Sequence, residues 1–190
     1  MKREFVKAAV QYMNASRMEA YVQKEAIKIA MIEKSIAFAF ISPIGPEAHK
    51  VICSLCLSEN AKKSKLFPLV SKLYREDIIS KEDINAIASQ LPSSLKEKDN
   101  DGVSILEQSA FSRNMIPIIN SFSTVKLTTL IRLSGVSSED QLLILLEKTY
   151  KLGEVSIDQM KGLVRIKSQS DPSDVVKEFL TQIDTILVTE

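Results

Sequence analysis

Residues 123–167 read STVKLTTLIRLSGVSSEDQLLILLEKTYKLGEVSIDQMKGLVRIK, and the order of elements in this stretch decides the fold. Thr124 and Val125 form a short extended piece, after which apolar residues recur at helical spacing to about Leu133, where Gly135 breaks the pattern. A strongly apolar helix follows from Ser137 to Leu152, with Gly153 placed to end it in a left-handed cap. Glu154 to Asp158 and Leu163 to Lys167 read as short strands around Gln159-Met160-Lys161-Gly162, whose glycine supplies the positive φ of a hairpin turn. With a helix before it, the stretch runs helix, strand, helix, helix, strand, strand, which is the order of a winged helix.

That preceding helix starts at Ser104-Ile-Leu-Glu107, where serine and a glutamate three residues on form a capping box. Pro117 lies three residues after Asn114, so the spacing predicts two short helices, the second capped by Asn114, in place of one. Further upstream, Pro92 to Gly102 is polar and rich in breakers and is expected to be a mobile surface loop. Residues 3–40 predict an antiparallel helix pair, Glu47 to Leu57 and Leu66 to Glu76 two more helices, and Lys81 to Leu91 a fifth. Stacked helical hairpins bury one face on a neighbour, so a stack that starts at residue 3 should leave its first helix poorly covered, as in a piece of a longer chain. Beyond the winged helix, Asp171-Pro172 opens a last helix whose Val176, Phe179, Leu180, Ile183, Ile186 and Leu187 make a broad apolar stripe.

Composition narrows the function. The 190 residues carry 25 Lys and Arg against 24 Asp and Glu, a net charge of +1 that offers no field for phosphate backbones or anionic lipid. The helix 137–152 begins with Glu139 and Asp140, which repel phosphates, so nucleic acid is disfavoured even for a winged helix. No stretch approaches the ~20 apolar residues of a membrane helix, and two cysteines with one histidine imply a reducing, intracellular setting. His49, Cys53 and Cys56 share one helix face, but three ligands on successive turns spread over ~10 Å, too far for one tetrahedral ion. Buried core cysteines are therefore expected, and no metal or cofactor. Lys62-Lys63-Ser-Lys65 reads as a solvated helix start, and Glu82-Asp83 and Glu139-Asp140 as helix-capping carboxylates. No phosphate loop, metalloprotease motif or serine elbow is present, so no enzyme and no catalytic residue is expected.

Helical hairpins running into a winged helix resemble the PCI domains of the proteasome lid, the COP-nine signalosome and a translation initiation factor. The run Asp101-Gly-Val-Ser104-Ile-Leu-Glu107, ending at Asn114, is similar to the D-G-x-S-I-L-[DE] segment of the family of signalosome subunit four. Phe5-Val6-x-Ala8-Ala9-x-x-Tyr12, Lys72-Leu73-Tyr74 with Ile78-Ile79, and Ile157-Asp158-Gln159-x-x-Gly162-Leu163-Val164 resemble further segments of the same family. After Gly45 the family is basic, whereas this chain has Pro46-Glu47-Ala48-His49-Lys50. The resemblance implies a mainly α protein: TPR-like helical hairpins (1–100), a winged-helix subdomain (101–168) and a C-terminal helix (171–190). It implies a non-catalytic scaffold in the complex that deneddylates cullin-RING ubiquitin ligases, in cytoplasm and nucleus. A proteasome-lid PCI subunit and, in another class, a nucleic-acid-binding winged helix are the alternatives. Other signalosome subunits are the implied partners. They would be met through the strand Leu163-Val164-Arg165-Ile166-Lys167 at a sheet edge and through the stripe Val176, Phe179, Leu180, Ile183, Ile186 and Leu187.

Overall fold

The computed structural model describes residues 4–18, 24–149, 155–158 and 161–166. Helices α1 (Glu4–Ala15) and α2 (Glu25–Ile41) pair with Phe5 beside Phe38, the Ser35 hydroxyl donating to the Ala9 carbonyl at 2.7 Å, and Lys34 over the Tyr12 ring. Positions rise on one helix as they fall on the other, so the pair is antiparallel, as its spacing predicts. Pro46 opens α3 (Pro46–Leu57) at a position where its missing N–H has no partner to lose. A one-turn helix α4 (Glu59–Lys62), capped by Ser58, then leads to α5 (Phe67–Arg75). Glu76 ends α5 in the left-handed region at φ 58°, the position where glycine is the usual residue. A side chain there costs about 1–2 kcal/mol, part of which glycine returns as unfolded-state entropy. Glu76→Gly is accordingly expected to raise the unfolding free energy by about 0.5–1 kcal/mol, read by chemical denaturation.

Ser80 and Asp83 form a reciprocal capping box at the start of α6 (Lys81–Ala88). Burial pushes the Asp83 carboxyl up, but the Lys72 amine and the Ser80 N–H and hydroxyl outweigh it and hold it below the usual range. The expected box at Ser104 and Glu107 is present too, and it opens α7 (Ile105–Ser121). This helix is single, not the two short ones expected. Pro117 sits inside it and Asn114, wholly buried, caps nothing of α7. An internal proline costs about 3 kcal/mol, and the packing of α7 on both sides offsets that. Leu106 and Ala110 belong to the core of the helical repeats, while Phe111, Met115 and Ile118 belong to that of the winged helix.

The winged helix continues through β1 (Thr124–Lys126), α8 (Leu127–Ser134), α9 (Glu139–Thr149), β2 (Val155–Asp158) and β3 (Leu163–Ile166). Gly135 closes α8 at φ 78° and Gly162 supplies φ 60° at the wing turn, as read from the sequence. Tyr150 to Glu154, and with them the expected cap at Gly153, lie outside the described residues. The three strands are antiparallel in the order β1-β3-β2, with Val125, Val164 and Ile157 in register on the inward face. No helix among the described residues is long and apolar enough to cross a membrane.

Candidate interaction surface

Two adjacent residues of α7 weld the helical repeats to the winged helix. Arg113 is 8% exposed and donates from Nε to the Phe40 carbonyl at 2.7 Å, and from Nη2 to those of Ala39 (2.8 Å) and Ser42 (3.3 Å). These are acceptors that the end of α2 leaves without an intrahelical partner. The guanidinium lies 5.6 Å from the centre of the Phe40 ring, and burial pushes its pKa down to about 10, so it stays charged at neutral pH. One step along the helix, Asn114 Oδ1 accepts from the Ile79 N–H at 2.7 Å. Its Nδ2 donates to the Ile79 carbonyl (3.1 Å) and the Ser134 carbonyl (3.3 Å). One side chain thus satisfies the α5–α6 loop and the end of α8. Helical spacing placed Asn114 as a cap because asparagine is a common one; only the fold brings Ile79 and Ser134 to it.

The segment 92–102 is less free than its composition suggests. A short 3₁₀ turn covers Ser93–Leu95, and Lys98 bridges to Ser104. Asp99 Oδ1 accepts from the N–H groups of Asp101 (3.0 Å) and Val103 (3.1 Å), with Gly102 at φ 75° in the turn. Its other oxygen and Asp101 both bind Lys148 of α9 at 2.6 Å, and that pairing lowers the Asp99 pKa. The expectation of mobility overlooked a ligand contributed some fifty residues downstream. The same ion pairs take up Lys148, one of two cations on the helix that would enter a DNA groove, whose acidic start at Glu139 and Asp140 is exposed.

The strand expected at a sheet edge is the central one. β3 pairs with β1 through Thr124↔Arg165 and with β2 through Ser156↔Arg165, so its ladder is closed on both sides and the edges belong to β1 and β2. Val164 is fully buried, Leu163 half-buried and Arg165 exposed. Two adjacent apolar runs reveal a hairpin but not which side of it the earlier strand joins. Lys167 and the stripe Val176, Phe179, Leu180, Ile183, Ile186 and Leu187 lie outside the described residues.

The remaining candidates are dispersed. His49 is exposed and stacks on Tyr74, ring centres 6.0 Å apart, and among the described residues no three His, Cys, Asp or Glu side chains are grouped for a metal ion. Cys53 and Cys56 are half-buried, not core residues; Cys56 Sγ donates to the Val70 carbonyl of α5 at 3.9 Å, and desolvation raises its pKa. Lys62 and Lys63 pair with Glu59 and Glu25, on exposed helix ends. Two clefts are larger. One of about 610 Å³ runs between α1 and α3 with Val6, Val10, Met13 and Val51 in its wall, so the first helix is only partly covered, as expected. The other, about 390 Å³, lies where the α2–α3 loop, α7 and the end of α9 meet.

Helical hairpins whose last helix is also the first of a three-stranded winged helix define the PCI class of architecture. No family model matches the chain. It is similar to the protein named COP9 signalosome complex subunit 4 from Arabidopsis thaliana, 26% identical over 98% of this chain and 45% of the relative. Proteins of the same name from Caenorhabditis elegans (28% identical, 73% of this chain, 33% of the relative) and Drosophila melanogaster (21%, 88% and 41%) match as well. The chain spans less than half the length of these relatives.

Proposed function

We propose that this chain is a non-catalytic PCI scaffold element of the COP9 signalosome, the complex that removes a ubiquitin-like modifier from cullin-RING ligases, and that it works in cytoplasm and nucleus. The observation that carries the reading is α7, which is shared by two cores and locked at Arg113 and Asn114, making repeats and wing one stiff connector. A connector needs surfaces, not a reaction centre. Its partners are other signalosome subunits, engaged through the sheet edge and through the C-terminal segment 171–190. The small sheet offers two edges, of which β2 is the longer, four residues against three in β1. An edge adds a foreign strand by backbone hydrogen bonds alone.

Affinity purification of the tagged chain, followed by mass spectrometry, is expected to co-isolate signalosome subunits; proteasome-lid subunits in their place would favour the lid reading, and retardation of DNA the nucleic-acid one. Along an antiparallel strand the N–H groups alternate between the two sides, so of Ser156 and Ile157 one faces β3 and one faces outward. Proline at the outward-facing position is expected to cut co-isolation by more than tenfold with little change in melting temperature, while proline at the other lowers the melting temperature. Undiminished co-isolation by both variants would remove β2 as the contact.

A further inference from the structure

The second cleft has the buried Arg113 guanidinium in its wall and no carboxylate. Arg113 lines it, and although Nε and Nη2 are used on backbone carbonyls, Nη1 donates to nothing among the described residues. No carboxylate is within ion-pair distance of this buried guanidinium among the described residues. The Thr149 hydroxyl, in the same wall, is buried without a hydrogen-bond partner among the described residues. No Asp or Glu lines the cleft, and Lys148 there is already held by Asp99 and Asp101. Apolar surface from Ile41, Ile44 and Ile105 completes it. The Glu76 carboxylate acts on the buried Arg113 charge only from beyond ion-pair distance, and an incoming carboxylate would give it a direct partner.

We propose that the chain's own C-terminal segment, 171–190, docks in this cleft. Charge and composition select that occupant. Residues 171–190 contain five carboxylates against the single Lys177, a net charge of −4 in a chain whose total is +1. The same twenty residues carry the apolar stripe, which needs cover in the free chain and matches the isoleucines of the wall. Reach is sufficient. Ile166 pairs with Val155, which follows Thr149 by six residues, so β3 ends within roughly 20 Å of chain from the cleft. Residues 167–170 then span up to about 14 Å more. The scaffold reading does not require this contact, and the contact does not require the scaffold reading.

The test is paramagnetic relaxation in the full chain. A nitroxide is placed on Thr181→Cys after Cys53→Ala and Cys56→Ala, and amide signals are followed in the isotope-labelled protein. Docking predicts that the amides of Ser42, Ile44 and Ser109 lose more than half of their intensity. Ser112→Asp, which brings a like charge to the wall, should restore them, and the neutral Ser112→Asn should not; Glu178→Lys with Asp184→Lys provides a second disruption that leaves the folded core untouched. Full intensity at these amides in the spin-labelled chain, losses confined to another face, or losses that arise only between separate labelled and unlabelled molecules would each overturn the proposal. Co-isolation of signalosome subunits is unaffected by any of those outcomes, so the two readings fail separately.

Discussion

Asn114→Ala is expected to lower the unfolding free energy by about 3 kcal/mol, a fall of roughly 10 °C in melting temperature for a chain of this size. The residue is wholly buried, and its loss strands the Ile79 N–H while removing a donor from two carbonyls. Each buried polar group left without a partner costs about 1–3 kcal/mol, and alanine replaces none of them. Asn114→Asp separates the acceptor from the donor role. Its carboxylate still accepts from Ile79, but its second oxygen faces the carbonyls of Ile79 and Ser134 and can satisfy one of them only when protonated. Burial and those carbonyls raise the aspartate's folded pKa above its unfolded value of about 3.9. The stability it contributes is therefore present below about pH 4 and lost as pH rises through the folded value. Denaturation at pH 5 and pH 7 checks this: the aspartate variant is expected to be the less stable at pH 7, and a flat difference from the parent between the two would contradict the assignment of Oδ1 and Nδ2.

Arg113→Ala is expected to cost about 3 kcal/mol, and Arg113→Met only about 1–2. Alanine removes the aliphatic stem that fills the space beside Phe40 and leaves the carbonyls of Ala39, Phe40 and Ser42 without the guanidinium. Methionine loses the same donors but keeps most of the stem, and it spares the fold the desolvation of a cation held at 8% exposure. Equal losses for the two variants in urea denaturation would show that capping the end of α2 dominates and that packing and charge burial contribute nothing.

These two residues also mark where reading the chain by local pattern stopped. The capping box at Ser104 and Glu107, the breaks at Gly135 and Gly162 and the run of strands and helices from Thr124 to Ile166 were legible because each rests on contacts within a few residues. A cap bonds three positions away and a turn needs one permissive φ, so composition and spacing carry the information. The half-burial of the cysteines depends instead on how α3 lies against α5, and the anchoring of residues 92–102 on Lys148 of α9.

Local chemistry thus determined the elements and their order, the lack of a catalytic motif and the near-neutral charge, and through these the class of the fold. The tertiary structure alone decided that α7 is continuous across Pro117, that β3 lies between β1 and β2, and that Arg113 and Asn114 hold the two halves together. The physical reason is range. Arg113 meets carbonyls 71 to 74 positions away, and Asn114 an N–H 35 positions away. Such partners become neighbours only when hydrophobic burial has packed the helices, and that burial outweighs any local preference for a proline break or a cap.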